Sequence, residues 1–153
     1  MRLRLLATVT AALLAGTSLA QTAQAQGHPQ AEAQALELLK RGIAFRTVAG
    51  PGNQTPAYAA YLKQVLVAGG FAEADVEIVP MGDTAYLVAR YRGTGKARNG
   101  AKPLLISGHM DVVEAKPADW TRDPFTAVVE NGYVYGRGAT DMKYDLSTMV
   151  ATL

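Results

Sequence analysis

Cysteine is absent from this sequence of 153 residues. Its absence excludes disulfide bonds, thiolate metal ligands and a lipid-modified cysteine at a processing site. The folded chain must therefore be stabilised by packing, or by ions held through nitrogen and oxygen ligands. With 49% hydrophobic and 18% charged residues, the composition is that of an ordinary globular domain, and the length is sufficient for one domain with a core of its own.

An excess of charge of either sign is also missing. The formal net charge is +2, but residues 1–25 carry Arg2 and Arg4 without any acidic residue, which leaves 13 basic and 13 acidic residues in the remainder. The basic residues are scattered, apart from the cluster Lys96-Ala97-Arg98. A neutral chain without a basic stripe lacks the electrostatic footprint of a protein that binds nucleic acid or a membrane surface. We therefore expect neither as a partner.

No apolar run approaches the roughly 20 residues that a membrane-spanning helix needs. The longest such stretch, Leu5–Leu14, follows Arg2 and Arg4 and precedes small residues, which is the pattern of a secretory signal peptide. Cleavage after Ala20 and cleavage after Ala25 both satisfy the small-x-small rule, and the second is preferred. A membrane anchor is the alternative, which the shortness of the apolar stretch disfavours.

This interpretation divides the chain into a signal peptide, residues 1–25, and one domain, residues 26–153. A cleaved signal peptide and the absence of cysteine together favour a soluble periplasmic or secreted product. No membrane contact is expected once the signal peptide has been removed.

Two helices are predicted in the first half of the domain. The segment Ala31–Arg41 favours a surface helix that stops at Gly42. The second helix is expected to have Thr55 as its N-cap, Pro56 in its first turn and Gly69 at its end. Its apolar residues recur at helical spacing, which favours core packing over a ligand-stacking surface. These residues are Tyr58, Tyr61, Leu62, Val65 and Leu66.

Strands and a further helix are predicted in the second half. The strand-forming segments are Val76–Val79, Thr84–Tyr91, Leu104–Ser107, Ala127–Glu130 and Tyr133–Tyr135. Asn131-Gly132, between the last two, is the strongest short signal for a β-hairpin. A helix is expected from Lys143 to Leu153. This order of elements predicts an α/β fold with an incomplete mixed sheet and flanking helices.

His109 and Asp111 follow the apolar run Pro103-Leu104-Leu105-Ile106, so they would emerge where a buried strand ends, the position at which open α/β sheets bind ligands. Two residues apart on extended backbone, they project from the same side, so the carboxylate can hold one ring nitrogen while the other binds a metal ion. By itself, a His-x-Asp pair is more often a solvated histidine beside a turn-stabilising aspartate. Both interpretations stay open at this point.

Asp141 follows the glycines Gly132, Gly136 and Gly138, which permit a tight backbone turn into the carboxylate at the start of a helix. A carboxylate in this place is suited to bridging two cations. It could instead cap the following helix, which is compatible with metal binding. A phosphate-binding turn is disfavoured, because no G-x-G-x-x-G or Walker pattern is present and the acid would repel an anion.

Three ordered motifs make a family resemblance specific. They are LISGHMDVV at residues 105–113, WTRDPF at 120–125 and NGYVYGRGATDMK at 131–143. Together they resemble the amino-terminal catalytic part of the zinc metallopeptidase family that contains acetylornithine deacetylase, succinyl-diaminopimelate desuccinylase, aminoacylases, carboxypeptidases and dipeptidases. The resemblance implies that residues 26–153 form the amino-terminal part of a dinuclear zinc exopeptidase-like domain.

Position by position, the resemblance implies that His109 ligates one metal ion, that Asp141 bridges two, and that Asp111 lies behind His109 and orients it as part of the catalytic machinery. The expected ions are two Zn²⁺, with Co²⁺ or Mn²⁺ as alternatives. Such a pair activates water and polarises a carbonyl group. Trp120, Phe125, Arg137 and Lys143 are interpreted as structural residues, the two basic ones on the assumption that they are exposed.

The chain departs from the family pattern in two ways. Tyr144-Asp145 stands where small residues are usual, and Asp145 is interpreted as an acid of the first helical turn and not as a ligand. The family's Glu-Glu pair, its later ligands and its dimerisation domain would all follow Leu153. We therefore expect the 153-residue chain alone to bind metal weakly and to be inactive.

For the whole protein, the resemblance implies metal-dependent hydrolysis of an amide bond in peptides, by a secreted exopeptidase of the dipeptidase or carboxypeptidase type. Hydrolysis of N-acyl amino acids, as by an aminoacylase or deacetylase, is the alternative. A non-catalytic periplasmic binding module on the same fold is an alternative of another class, because fold does not fix function. A homodimer is the assembly that the resemblance implies.

Overall fold

The structure is a computed structural model that describes residues 27–93, 95 and 100–153. The predicted signal peptide, its cleavage sites and the cluster Lys96-Ala97-Arg98 lie outside the described residues. Within them, the helices are α1 (Pro29–Ile43), α2 (Thr55–Ala68) and α3 (Lys143–Ala151). The strands are β1 (Val76–Met81), β2 (Thr84–Ala89), β3 (Val128–Glu130) and β4 (Tyr133–Tyr135). No described helix combines the length and the apolarity that crossing a bilayer requires.

The strands form two separate antiparallel hairpins, β1–β2 and β3–β4. The described residues form both helices and strands, as predicted, but every strand pair is antiparallel and the strands do not join into the mixed sheet expected of an α/β fold. The β3–β4 hairpin turns at Asn131 and Gly132, whose φ angles of 52° and 81° are those of the predicted tight turn. In the β1–β2 hairpin, Val76 pairs with Ala89 and Met81 pairs with Thr84.

The predicted strand at Leu104–Ser107 is wrong for this structure, because residues 101–116 have no strand assignment. A strand requires a neighbour that accepts and donates its backbone hydrogen bonds, and no described segment pairs with this one. Its apolar side chains are therefore exposed, with relative accessibilities of 84% for Leu104 and 87% for Leu105. The apolar run indicates a segment suited to burial, but no described strand lies beside it to cover its side chains.

Helix α2 contributes more buried apolar residues to the core than any other described element. Tyr58, Leu62 and Leu66 are buried, which confirms core packing for these members of the predicted stripe. The helix lies against the β1–β2 hairpin, while α1 packs against α3. The expected capping role of Thr55 is wrong: Thr55 is the first residue of the helix, and both its backbone N–H and its hydroxyl donate to Oδ1 of Asn53. The side chain of Asn53, two residues earlier, thus serves the helix start.

Candidate metal centre

His109 and Asp111 lie on an extended segment that is fastened to the loop after α1. The Thr47 hydroxyl donates to the backbone oxygen of Met110 at 2.7 Å, and the backbone N–H of Val112 donates to the Thr47 oxygen at 3.0 Å. Val112 itself is buried. These two hydrogen bonds flank Asp111 along the chain, so they fix the segment from which the two predicted site residues project.

Asp141 is carried by a glycine-rich turn that runs close to its neighbours. A Cβ atom on Gly136 would lie 2.7 Å from Ile43 Cγ2, and one on Gly138 would lie 2.8 Å from Val112 Cγ1. Glycine is required at both places because any side chain would collide with these packed residues. The backbone N–H of Lys143 donates to Gly138 O at 2.9 Å and closes the turn.

The three predicted site residues meet at the His109 ring. Nε2 lies 2.9 Å from Asp141 Oδ1, while Nδ1 lies 3.0 Å from the backbone oxygen of Asp111 and 3.3 Å from its Oδ1. A backbone oxygen can only accept, so Nδ1 carries a hydrogen atom and donates it to Asp111. In the neutral ring, Nε2 is then the nitrogen with a free electron pair, and it faces Asp141. The pair predicted from spacing and the distant Asp141 are thus brought together.

The surroundings also alter the protonation of His109. Partial burial lowers its pKa, but the hydrogen bonds with the Asp111 backbone and the Asp141 carboxylate, together with the negative charges of both residues, outweigh burial and raise the pKa above its ordinary value. Two carboxylates around one imidazole therefore form an electronegative position that favours a proton or another cation.

The donor types at this position suit a divalent ion. Two donors of one tetrahedral Zn²⁺ ion, at roughly 2.0–2.2 Å from it, stand about 3.3–3.6 Å apart. His109 Nε2 and Asp141 Oδ1 are 2.9 Å apart, and their side chains are 48% and 85% exposed. These two atoms would therefore need to move only slightly apart for an ion from solvent to bind between them. No group of three or more His, Cys, Asp or Glu side chains able to hold a metal ion is found in the part of the chain that the structure describes. The roles of His109, Asp111 and Asp141 stay predictions.

Lys143 departs from the sequence interpretation. It was expected to be an exposed charge, but its relative accessibility is 0%. Its Nζ donates to Gly42 O at 2.9 Å and to Phe45 O at 2.8 Å, and it lies 5.4 Å from the centroid of the Tyr58 ring. Burial lowers the pKa of Lys143 to about 8. Local sequence carries little signal of this contact, because it depends on the packing of α1 against α3.

Trp120 lies away from this centre. The guanidinium group of Arg137 stacks on its ring at 5.2 Å from the centroid, and the backbone N–H of Arg137 donates to Pro124 O. These contacts agree with a structural interpretation of both residues. A cavity of about 160 Å³ lies beside Trp120 and Tyr135, and neither His109 nor Asp141 lines it.

Comparison with known proteins gives the family context of this geometry. Residues 105–153 match the family model described as "Peptidase family M20/M25/M40". The match includes His109, Asp111 and Asp141, together with the turn and helix that follow. The matched residues include all three motifs that carry the resemblance. The weaker similarity before residue 105, toward α1, lies outside the match.

Curated relatives align over more of the chain. A succinyl-diaminopimelate desuccinylase of Wolbachia sp. subsp. Brugia malayi is 33% identical over 119 residues, which cover 77% of this chain and 28% of the relative. An N-formyl-4-amino-5-aminomethyl-2-methylpyrimidine deformylase of Bacillus subtilis is 35% identical over 109 residues, 71% of this chain and 25% of the relative. A probable di- and tripeptidase, DUG2, of Saccharomyces cerevisiae is 33% identical over 125 residues, 75% of this chain and 14% of the relative.

The chain thus spans less than a third of the length of each of these relatives. Their similarity extends to parts of the chain before residue 105, and their names agree with the family that the three motifs indicated. The predicted resemblance is confirmed by the match of residues 105–153 to the model of peptidase family M20/M25/M40.

Proposed function

We propose that the whole protein hydrolyses an amide bond in a peptide or an N-acyl amino acid, with divalent metal ions held in part by His109 and Asp141. The observation that carries the proposal is the 2.9 Å approach of His109 Nε2 to Asp141 Oδ1, with Nδ1 of the same ring turned toward Asp111. Family membership supports the same chemistry, because the relatives are named as a desuccinylase, a deformylase and a peptidase.

Each side chain has a separate task in this proposal. His109 offers Nε2 to the ion, and Asp141 offers a carboxylate oxygen on the opposite side of the same gap. Asp111 keeps the hydrogen atom on Nδ1 and so leaves Nε2 free to coordinate. When bound, divalent ions of this kind polarise the scissile carbonyl and lower the pKa of a coordinated water. We propose two Zn²⁺ ions, with Co²⁺ or Mn²⁺ as alternatives, and expect the remaining ligands from other parts of the whole protein.

The experiment is metal analysis and enzymology of the whole protein. We expect bound zinc, loss of hydrolysis on chelation and recovery when Zn²⁺, Co²⁺ or Mn²⁺ is restored. His109→Ala should remove zinc and activity. The matched control is His28→Ala, because His28 is the second histidine of the 153-residue chain and is exposed next to α1. Retention of normal zinc and activity by His109→Ala would reject the proposal.

Two substrate classes remain to be separated. Exopeptidase action on dipeptides is the first candidate, and the Saccharomyces cerevisiae relative is named as a probable di- and tripeptidase. Removal of an N-acyl group is the second, favoured by the relatives named as a desuccinylase and a deformylase. A panel of dipeptides and of N-succinyl, N-formyl and N-acetyl amino acids distinguishes them by kcat/KM. Zinc binding without turnover of any substrate would favour a binding module.

We also propose that the protein is exported, on the basis of the signal-peptide pattern in residues 1–25. Expression in a bacterial host followed by fractionation should place the mature product in the periplasm or medium, with a new amino terminus after Ala20 or Ala25. A variant without residues 1–25 is the control and should stay in the cytoplasm. Cytoplasmic retention of the unaltered protein would contradict export.

A further inference from the structure

We infer that the segment 42–48, which comprises the end of α1 and the loop after it, is a positioning platform that sets the distance between His109 and Asp141 through the buried side chains of Thr47 and Lys143. The inference rests on the proposed function, since it concerns the same two side chains. Thr47 and Lys143 are positioning residues in it, because both act through other residues and neither touches His109 or Asp141.

The platform holds the His109 side through Thr47. This residue uses both its hydroxyl and its backbone oxygen, the first toward Met110 O and the second toward the N–H of Val112. The contacts therefore lie on the two residues that flank Asp111, one of them adjacent to His109. The Thr47 side chain is completely buried, so no water molecule replaces a lost contact without a rearrangement.

The platform holds the Asp141 side through Lys143, which follows Asp141 by two residues. Lys143 Nζ spans Gly42 O and Phe45 O, so it connects the start of α3 to the carboxyl end of α1. A cation at this end of a helix is stabilised by the helix dipole and by carbonyl groups that lack helical partners. The anchors at Phe45 and Thr47 are two residues apart on the same loop.

The burial of Lys143 supports a specific task. Lysine is almost never fully buried without an acidic partner, and within the residues that the structure describes no ion pair is formed by Lys143. A methionine or leucine would fill the same space without the cost of removing an ammonium group from water. The ammonium group fixes the position of the Lys143 side chain, because it donates hydrogen bonds to two backbone oxygens, which an apolar side chain cannot do.

Contacts between the two sides complete the arrangement. Met142 lies between Asp141 and Lys143, and its Sδ accepts from the backbone N–H of His109 at 3.3 Å. A Cβ atom on Gly108 would lie 2.9 Å from Met142 Cε, so the Gly108 backbone already packs closely against the Met142 side chain. With both sides fastened to the same loop, a shift of either anchor changes the separation of His109 Nε2 and Asp141 Oδ1.

The first test removes the Thr47 hydroxyl in the whole protein. Thr47→Val keeps the shape of the side chain but loses the contact with Met110 O, and Thr47→Ser restores the hydroxyl. The matched control is Thr55→Val, because Thr55 is also buried and its hydroxyl donates at the same 2.7 Å to Asn53 Oδ1, not to the segment that carries His109. We expect Thr47→Val to weaken zinc binding about 10-fold, Thr47→Ser to recover most of it, and Thr55→Val to leave it unchanged.

The second test removes the ammonium group. Lys143→Met keeps the length of the side chain and should weaken zinc binding by at least as much as Thr47→Val. Lys63→Met is the control, since Lys63 is a partly buried lysine of α2 paired with Glu73. If Lys143→Met fails to fold, the comparison of Thr47→Val with Thr55→Val decides the question. Equal zinc affinities in these two variants would overturn the inference.

A separate readout distinguishes the inference from the proposed function. In the metal-free whole protein, the ring-nitrogen resonances of His109 can be compared with those of His28, the second histidine of the 153-residue chain. We expect Thr47→Val to change the His109 resonances and Thr55→Val to leave them unaltered. An unaltered His109 signal in Thr47→Val overturns the platform, whether or not the protein binds zinc. Absence of zinc binding in the unmutated protein would reject the proposed function alone.

Discussion

The two nitrogens of His109 have different partners, and this asymmetry gives each neighbouring acid a different expected contribution. Asp111 holds Nδ1 mainly through its backbone oxygen, at 3.0 Å, so its carboxylate supplies charge more than orientation. Asp141 faces Nε2 with its carboxylate and has no backbone contact with the ring. Replacing one carboxylate by an amide should therefore not be equivalent to replacing the other.

We predict that Asp141→Asn weakens zinc binding of the whole protein more than Asp111→Asn does. Asp111→Asn leaves the backbone contact that fixes the ring, so a loss of roughly 10-fold is expected. Asp141→Asn removes the anionic donor itself. Asp145→Asn changes the charge by the same amount on an exposed residue of α3 and serves as the control. The dissociation constant of zinc, measured by competition with a chelator, decides; equal losses in all three variants would contradict the prediction.

Gly138 is a second residue whose local geometry allows a quantitative prediction. Gly138 and Gly132 have similar φ angles of 85° and 81°, but a Cβ atom would collide only at Gly138. Gly132→Ala should lower the free energy of unfolding by about 1–2 kcal/mol, the cost of the left-handed backbone. Gly138→Ala should add a further 1–3 kcal/mol or so from overpacking against Val112. Urea unfolding measures both, and equal losses would show that Val112 moves aside freely.

At the scale of elements, the local pattern was sufficient where neighbours in the sequence are also neighbours in space. The β3–β4 hairpin depends on Asn131 and Gly132, and α2 depends on apolar spacing within a single helix, so both were predictable. The strand expected at Leu104–Ser107 depends on a partner from elsewhere, which periodicity does not report. The burial of Lys143 depends in the same way on the meeting of α1 and α3, which are separated by 99 residues between Ile43 and Lys143.

The contact between His109 and Asp141 is also nonlocal, and spacing alone did not predict it. The family resemblance supplied it, because the three motifs carry information about which side chains share a site. Spacing did indicate that Asp111 lies near His109, since residues two apart on extended backbone share a side. It did not indicate that the backbone oxygen of Asp111, at 3.0 Å, is closer to Nδ1 than the carboxylate is.

The β1–β2 hairpin permits a prediction of pH dependence. The hydrogen bond and the positive charge of Arg92 lower the pKa of Asp75 below its ordinary value of 3.8. Above pH 3.8 the ionised Asp75 carboxylate therefore stabilises the folded state. This contribution to the free energy of unfolding disappears as the pH falls through the lower pKa that Asp75 has in the folded state. Arg92→Gln should therefore reduce stability near neutral pH, and the difference from the unmutated protein should diminish below about pH 4.

The control for this prediction is the same change made in an Asp75→Asn background. If the pH dependence comes from Asp75, the effect of Arg92→Gln in that background should not vary with pH between 3 and 6 or so. Unfolding by urea at several pH values gives the comparison. A difference between Arg92→Gln and the unmutated protein that is equally large at low pH would mean that Arg92 acts through another group.

At the scale of the whole molecule, apolar side chains are buried in one part of the described chain and exposed in another. Helices α1 and α2 and the β1–β2 hairpin contribute buried apolar residues, whereas the segment 104–106 exposes three large apolar side chains in succession. Monomeric soluble proteins seldom leave such a patch uncovered. Its backbone pairs with no strand of the described residues, so it presents an unpaired edge to them as well as apolar surface.

We therefore predict that the 153-residue chain, produced by itself, associates through segment 104–106. Leu105, at 87% relative accessibility, is the most exposed of the three, so Leu105→Lys should raise the monomer fraction and lower the binding of a hydrophobic dye. Met81→Lys is the control, because Met81 is 58% exposed but lies at the β1–β2 turn, outside the run. Size-exclusion chromatography with light scattering measures the outcome. If both variants raise the monomer fraction equally, added charge is the cause and the unpaired segment has no special part in association.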